Sequence, residues 1–326
     1  MSNNTTCFLL QLSSNTTNFD CDTKKYIFDI QSFHMVILSS LVAISVLSPV
    51  AVVGNALVLA AIWRNPSLRT PSYILLAGLA FTDLCTGLIT EPFFIAIDLI
   101  YLTNPLMNLY DVNSWPTFYL STRAIGGGCF EYFFYMTILV ITFMSIERWL
   151  HMSRRSLITV RRACFVVAVL SFLPIPFVVF RVKDSRSIAY FLANIFLVLF
   201  CLTVTSVAYF KVFRIIRRHQ QQIHANGLSQ NLAQPAINFE KYKKSVFSIL
   251  YIVAVFYIGY MPMAITMGLV LAFHQKNRNL AVFSFSVSVL FVFLSSSLNP
   301  LLYLWRMKDI RNEVKQLVKR ILCKEN

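Results

Sequence analysis

Long apolar runs separated by short polar connectors dominate the chain. Seven can be traced, over residues 35–63, 72–98, 119–147, 163–180, 188–213, 245–272 and 280–304, each 18–29 residues long. At 1.5 Å per residue, about 20 helical residues cross a hydrocarbon core of roughly 30 Å. A bilayer leaves backbone polar groups no water to bond, so a spanning segment must satisfy them internally, and these lengths suit helices. The pattern predicts an all-α membrane protein, a seven-transmembrane helix bundle. After the seventh run, Ile310, Val314, Leu317, Val318, Ile321 and Leu322 recur on one helical face, with Lys308, Arg311, Lys315 and Lys319 elsewhere. That spacing predicts a C-terminal amphipathic helix lying in the membrane interface. The chain divides into an N-terminal tail (1–34), the bundle (35–305), and the amphipathic helix with a short tail (306–326).

Composition agrees with the bilayer as solvent: 57% of the 326 residues are hydrophobic and 13% charged. A net charge of +15 raises the question of nucleic acid, but its distribution excludes that reading. With the N-terminus outside, twenty-one of the 29 Lys and Arg fall on inner loops and tail. This asymmetry predicts an N-out, C-in protein of the plasma membrane whose basic side faces anionic lipid and cytosolic partners. Sequons at Asn3, Asn4 and Asn15 predict glycosylation of the tail, which fits the same orientation. Cys7 and Cys21 could close a small extracellular disulfide, and Cys323, just past the amphipathic helix, is placed for palmitoylation. Cys85, Cys129, Cys164 and Cys201 lie in spans and are expected to be packing residues. The chain shows no internal repeat, which disfavours a repeat-built transporter.

The few polar residues inside the spans carry the chemistry. Asp83, in the middle of span 2, is too costly to bury alone and must face the bundle interior with partners. Asn55 in span 1, Thr137 in span 3 and Ser295, Ser296 and Asn299 in span 7 are the candidates. Such an oxygen cluster can hold a small cation, sodium being the natural one, or act as a polar knot aligning helices. Span 3 ends in Glu147-Arg148-Trp149, where Glu147 is expected to pair with Arg148 and hold the guanidinium out of the inner mouth. Span 6 carries Phe256, Tyr260 and Pro262, and a mid-membrane Pro supplies a hinge. Span 7 closes on Asn299-Pro300-Leu301-Leu302-Tyr303, where Pro300 frees backbone carbonyls that Asn299 can satisfy.

Taken together, Gly54-Asn55, Leu79-Ala80 to Asp83, Glu147-Arg148-Trp149, Tyr209, Phe256, Pro262 and Asn299-Pro300-x-x-Tyr303 resemble the rhodopsin-like (class A) G protein-coupled receptors across all seven spans. The stretches around Tyr209 and from Asn299 to Leu322 look most like the adenosine and melanocortin receptor groups. The resemblance implies a receptor, not an enzyme, with a ligand entering from outside among spans 3, 5, 6 and 7. The inner half of span 6 then swings out, and Arg148, Tyr209 and Tyr303 line a cavity for a heterotrimeric G protein. The chain departs from the family in places. Arg123 stands where the family has the span 3 Cys, so the usual outer bridge cannot form. Tyr260 replaces the span 6 Trp, Gly259 the Cys before it, and Tyr242 the acid that latches span 6 to the span 3 Arg. These changes predict raised basal signalling.

The ligand is less legible. The resemblance puts Glu91, Phe130, Glu131, Tyr260, Met267 and Phe293 at the ligand level. Phe130 takes the amine-binding Asp position, Met267 that of the adenine-gripping Asn, and Phe293 that of the retinal Lys, so no retinal cofactor is expected. Glu131 lies 17 residues before Arg148, about 25 Å up the helix. With Glu91 it suggests a cationic peptide or amine, unless both are structural carboxylates bonded to neighbouring helices or to Arg123. Arg123, Arg181, Lys183 and Arg186 at the rim instead favour an anionic lipid or nucleotide. The tail from Leu304 onward has no Ser or Thr, which predicts weak arrestin recruitment through inner-loop sites such as Ser153, Ser156, Thr159 and Ser229. An olfactory-like chemosensory receptor (suggested by Leu68–Tyr73) and, from another class, a channel or transporter are the alternatives.

Overall fold

The computed structural model describes residues 18–103, 117–153, 158–184, 187–227, 254–272 and 278–322. Asn3, Asn4, Asn15, the Cys7–Cys21 pairing, Tyr242 and Cys323 lie outside what is described. Seven helices are long and apolar enough to cross a membrane. In chain order they are α1 (Asn18–Arg64), α2 (Pro71–Thr103), α3 (Thr117–Met152), α4 (Val160–Lys183), α5 (Ile188–Gly227), α6 (Ala254–Ala272) and α7 (Arg278–Arg306). A further helix, α8 (Lys308–Leu322), follows. There is no strand among the described residues.

Several elements outrun their apolar cores. Helix α1 starts inside the segment expected to be tail, because residues 18–33 contain no Gly or Pro to stop it. Helix α5 likewise runs on to Gly227 through a basic stretch. Helix α4 starts at a cap, where the Thr159 side chain accepts the Arg162 N–H at 3.3 Å, and breaks near Pro174 into Val160–Phe172 and Ile175–Asp184. Helix α2 is also composite: a π-helical turn at Thr86–Thr90 joins Pro71–Cys85 to Glu91–Thr103. For α6, only the part from Ala254 onward is described.

The surroundings side of the bundle is apolar. Val42, Val46 and Val53 on α1, Phe165 and Phe172 on α4, and Phe196 and Phe200 on α5 are all exposed, as helices facing lipid require. The core is rich in aromatic rings from α3 and α7, together with Phe256, Tyr260 and Met263 of α6 and Val198, Cys201 and Leu202 of α5. Helix α1 packs against α2 and α7. At Gly54 the approach is close: a Cβ there would sit 2.6 Å from Pro300 Cγ. The α8 face foreseen from spacing buries Ile310 and Val314 against Val58, Ala61 and Ile62 of α1 and Leu76 and Ala80 of α2. Two polar contacts fix its position, Tyr73 Oη to Asp309 at 3.1 Å and Asn65 Nδ2 to Glu313 at 2.8 Å. Of the span cysteines, Cys201 is buried and Cys164 faces outward.

Candidate functional site

Glu131, expected at the ligand level, is nearly fully buried, and its partner is not Arg123. Arg181 of α4 donates from Nη1 to Glu131 Oε1 at 2.7 Å, and the Tyr190 hydroxyl of α5 donates to the same oxygen. This decides one alternative and corrects one expectation. Of the two alternatives, Glu131 is the structural carboxylate bonded to neighbouring helices, not one open to a cationic ligand, and Arg181 is no rim charge, because α4 continues past residue 180 and turns the guanidinium inward. Gly127, one turn above Glu131 on α3, makes room for it: a Cβ at that position would lie 2.8 Å from Arg181 Cζ. Tyr190 packs edge-on against Phe180 at 5.8 Å between centroids, and Tyr132 Oη donates to the Ser171 carbonyl at 3.0 Å. Helices α3, α4 and α5 are thus tied together near the end of the bundle opposite α8.

Glu91 is the second correction. It has no surface exposure, and it lies beside Ser48 of α1 rather than at a ligand cavity. The other expected pocket residues do come together, in an apolar stack. Phe130 lies 5.8 Å from Phe293, 5.5 Å from Phe94, 5.8 Å from Phe134 and 6.4 Å from Phe285, centroid to centroid. The run continues inward through Phe134–Tyr260 at 5.5 Å and Tyr260–Phe256 at 5.1 Å. Met267 packs against the same cluster. Tilted and edge-on pairs of this kind add about 0.5–1.5 kcal/mol each to the burial of the rings. Gly259 is explained locally, since a Cβ there would meet Ser295 Cβ at 3.0 Å where α6 crosses α7.

Below the rings lies the polar knot. Asn299 Nδ2 donates to Asp83 Oδ2 at 2.7 Å, joining α7 to α2. Asn55 Nδ2 donates to the Ala51 carbonyl at 2.8 Å and to the Ser296 carbonyl at 3.2 Å, joining α1 to α7. Asp83, Asn55, Thr137, Ser295, Ser296 and Asn299 are all buried. Thr137 stands slightly apart, its hydroxyl donating to Thr82 Oγ1 at 3.2 Å instead of to Asp83. Two oxygens of the knot, Asp83 Oδ1 and Asn55 Oδ1, are buried without a protein partner. Orphaned hard oxygens beside one carboxylate suit a small hard cation or ordered water.

At the end of the bundle that carries α8, Glu147 accepts the Ser72 hydroxyl, at 3.0 Å to Oε1 and 3.1 Å to Oε2. The expected Glu147–Arg148 pair is therefore replaced, among the described residues, by a tie from α3 to the start of α2. Adjacent helical residues diverge by about 100°, so a neighbour on α2 reaches Glu147 more easily than Arg148 does. Tyr209 is buried against Val212 and Trp149, and Lys211 Nζ lies 3.9 Å over the Trp149 ring. Tyr303 packs against Leu79, Met136 and Val140, with its hydroxyl buried and unpartnered. Arg306, which sequence reasoning did not single out, stands close to Arg148 and Tyr209, and its Nη1 is buried without a partner.

The family model described as "7 transmembrane receptor (rhodopsin family)" matches residues 54–182 and 175–303. Adenosine receptor A2b of Homo sapiens is 26% identical to this chain, over 85% of it and 89% of the relative's own length. Its counterparts in Canis lupus familiaris and Mus musculus are each 25% identical over the same shares.

Proposed function

Because the chain belongs to the rhodopsin family of seven-transmembrane receptors, we propose that it binds an extracellular ligand in the outer half of the bundle. From its inner mouth it promotes nucleotide exchange on a heterotrimeric G protein. It is a multi-pass membrane receptor and not an enzyme. The observation that carries the proposal is the run of rings from Phe94 and Phe130 at the ligand level, through Phe134 and Tyr260, to Phe256. A ligand that displaces the upper rings must repack the lower ones, and Pro262 lets the inner half of α6 answer by tilting. Arg148, Tyr209, Tyr303 and Arg306 then meet the G protein. The ligand acts by binding the tilted state more tightly, which shifts the population toward it.

The lining favours a neutral, largely apolar or aromatic ligand, lipid-like in character, over a cationic peptide or amine. Glu131 already holds Arg181, Glu91 faces α1, and what remains at the ligand level is Phe94, Phe130, Phe285, Phe293, Tyr260 and Met267. Met267 gives no hydrogen bond to an adenine, so the likeness to adenosine receptors does not bring adenosine with it. Sodium in the knot would be held by Asp83, Asn55, Ser296 and Ser295, bracing α2 against α7 in the resting state. The excess of Lys and Arg on the loops read as inner supports an outside N-terminus.

The test is reconstitution. Purified protein in lipid nanodiscs is mixed with each Gα subtype and βγ, and nucleotide exchange is followed with and without a screened apolar ligand, together with spin-label distances between the inner ends of α3 and α6. Faster exchange and a longer α3–α6 distance are expected. Exchange no faster than without the protein, for every subtype and with a fixed distance, would refute the reading, and sodium flux into liposomes would then point to a channel.

A further inference from the structure

Helix α2 carries three acids on one stripe, and α1 answers each with a polar residue. Asp98 meets Ser40, Glu91 meets Ser48, and Asp83 shares Ser296 with Asn55. The rungs are spaced eight and seven residues apart on α1 and seven and eight on α2, as antiparallel neighbours in register require. The π-turn at Thr86–Thr90 is what aligns them. In a regular helix, eight residues would carry Glu91 about 80° away from Asp83, and absorbing one residue in a π-turn returns it to within about 20°. The axial separation is then about 11 Å.

The middle rung has chemistry that neither the packing nor the proposed activity uses. Glu91 is wholly buried, and both of its carboxylate oxygens lack a protein partner. The Ser48 hydroxyl beside it donates elsewhere, to the Gly87 carbonyl at 2.9 Å. With its proton committed, Ser48 presents lone pairs toward the carboxylate, and either a cation or a carboxyl proton between them relieves the repulsion. Thr90, next in the chain, also has a fully buried hydroxyl without a partner. The charged side chain that acts on Glu91 is Asp83, another acid. The site is tight as well as polar: a Cβ at Gly87 would lie 2.9 Å from Val52 Cγ2 and 3.3 Å from the Ser48 carbonyl.

We propose that Glu91 and Ser48 form a second small-cation site, for one sodium ion, about 11 Å outward of the Asp83 knot along the α1–α2 seam. Hard oxygens and a single carboxylate fit a small monovalent ion that keeps water in its remaining coordination positions. The site is distinct from the Asp83 knot in helix position and in its oxygens, and it does not depend on which ligand or G protein the receptor uses.

Radioactive sodium binding to the full chain in neutral-lipid nanodiscs tests this, at constant ionic strength with N-methylglucamine as the replacing cation. Bound ions per protein are counted for the wild type, Glu91→Gln, Ser48→Ala and Asp83→Asn. Glu91→Gln is expected to remove one ion from the wild-type count. Ser48→Ala should keep the ion but weaken it about tenfold, the loss of one good oxygen ligand. A wild type that binds no sodium overturns the proposal, as does a Glu91→Gln count and affinity equal to wild type, the result expected if Glu91 merely carries a proton. Should Glu91→Gln fail to fold, Ser48→Ala decides: unchanged sodium affinity overturns the site. Loss of an ion in Asp83→Asn with the Glu91-dependent ion still bound reports on the knot, so the two sites are told apart.

Discussion

Arg181 Nη1 lies 2.7 Å from Glu131 Oε1, so the chain itself supplies the cation that a carboxylate at the ligand level would otherwise seek from outside. The pair also ties α4 to α3 in a protein that the resemblance expects to lack the family's outer disulfide, with Arg123 at the cysteine position. It does so with a non-covalent clasp that the Tyr190 hydroxyl completes from α5.

Removing half of this clasp should hurt more than removing all of it. Arg181→Ala leaves Glu131 buried without its counter-charge, and stability is expected to fall by about 3 kcal/mol, the lower end for buried pairs because Arg181 is partly exposed. The double variant Arg181→Met/Glu131→Leu should regain most of the loss. Thermal unfolding of the purified proteins in one detergent makes the comparison, and equal losses for single and double variants would contradict it.

Phe130 touches four other rings, and Phe130→Ala should cost about 3–5 kcal/mol through the void it opens. That void would be apolar and dry, so a small ligand such as benzene is expected to raise the variant's melting temperature and leave the wild type unmoved. A fluorescence-detected melt with and without benzene is the measurement.

Gly54 and Pro300 allow no added atom between them. A Cβ at position 54 would meet a proline ring that has no rotamer to escape into, so Gly54→Ala should destabilise by about 1–3 kcal/mol. The displaced partner is the proline beside Asn299, so the Asn299–Asp83 bond should loosen as well. A shift in α7 amide exchange around residue 299 would report it.

Asn299→Ala removes the donor to Asp83 Oδ2 and leaves a wholly buried carboxylate with only the Ser296 side chain beside it. A loss of about 1–3 kcal/mol is expected. Serine at 299, shorter by one atom, should recover little of it, and thermal melts of the two variants settle the point.

Glu147 is occupied by Ser72, and the usual span 6 acid is Tyr242, so Arg148 has neither expected restraint. Basal nucleotide exchange should therefore exceed that of an empty vector. Ser72→Ala frees Glu147 to turn toward Arg148 and should lower basal exchange. A rise, or no change, in a ligand-free reporter assay would count against this account of the inner mouth.

Much of this architecture could be read from the residues. Seven apolar runs and an amphipathic tail are strong signals because membrane helices must be long and apolar. Asp83 had to find a partner because hydrocarbon offers none, and Asn299 was among the candidates. What stayed hidden depended on local geometry that composition does not record. Thr86–Thr90 reads as ordinary helix, yet its extra residue decides which way Glu91 points. Arg181 sits at the end of an apolar run, where a charge looks like the start of a loop, and only the helix continuing to Lys183 shows that it turns inward. Ser72 offered no hint that it would take Glu147, since the two are distant in sequence and meet only once α2 and α3 pack.

The interlocked rings around Phe130 bear on time as well as on affinity. A visitor cannot seat until several phenyl groups have swung aside, and that rearrangement belongs to the protein, whatever the visitor's chemistry. Unrelated compounds should therefore arrive at similar, slow rates and differ chiefly in how long they stay.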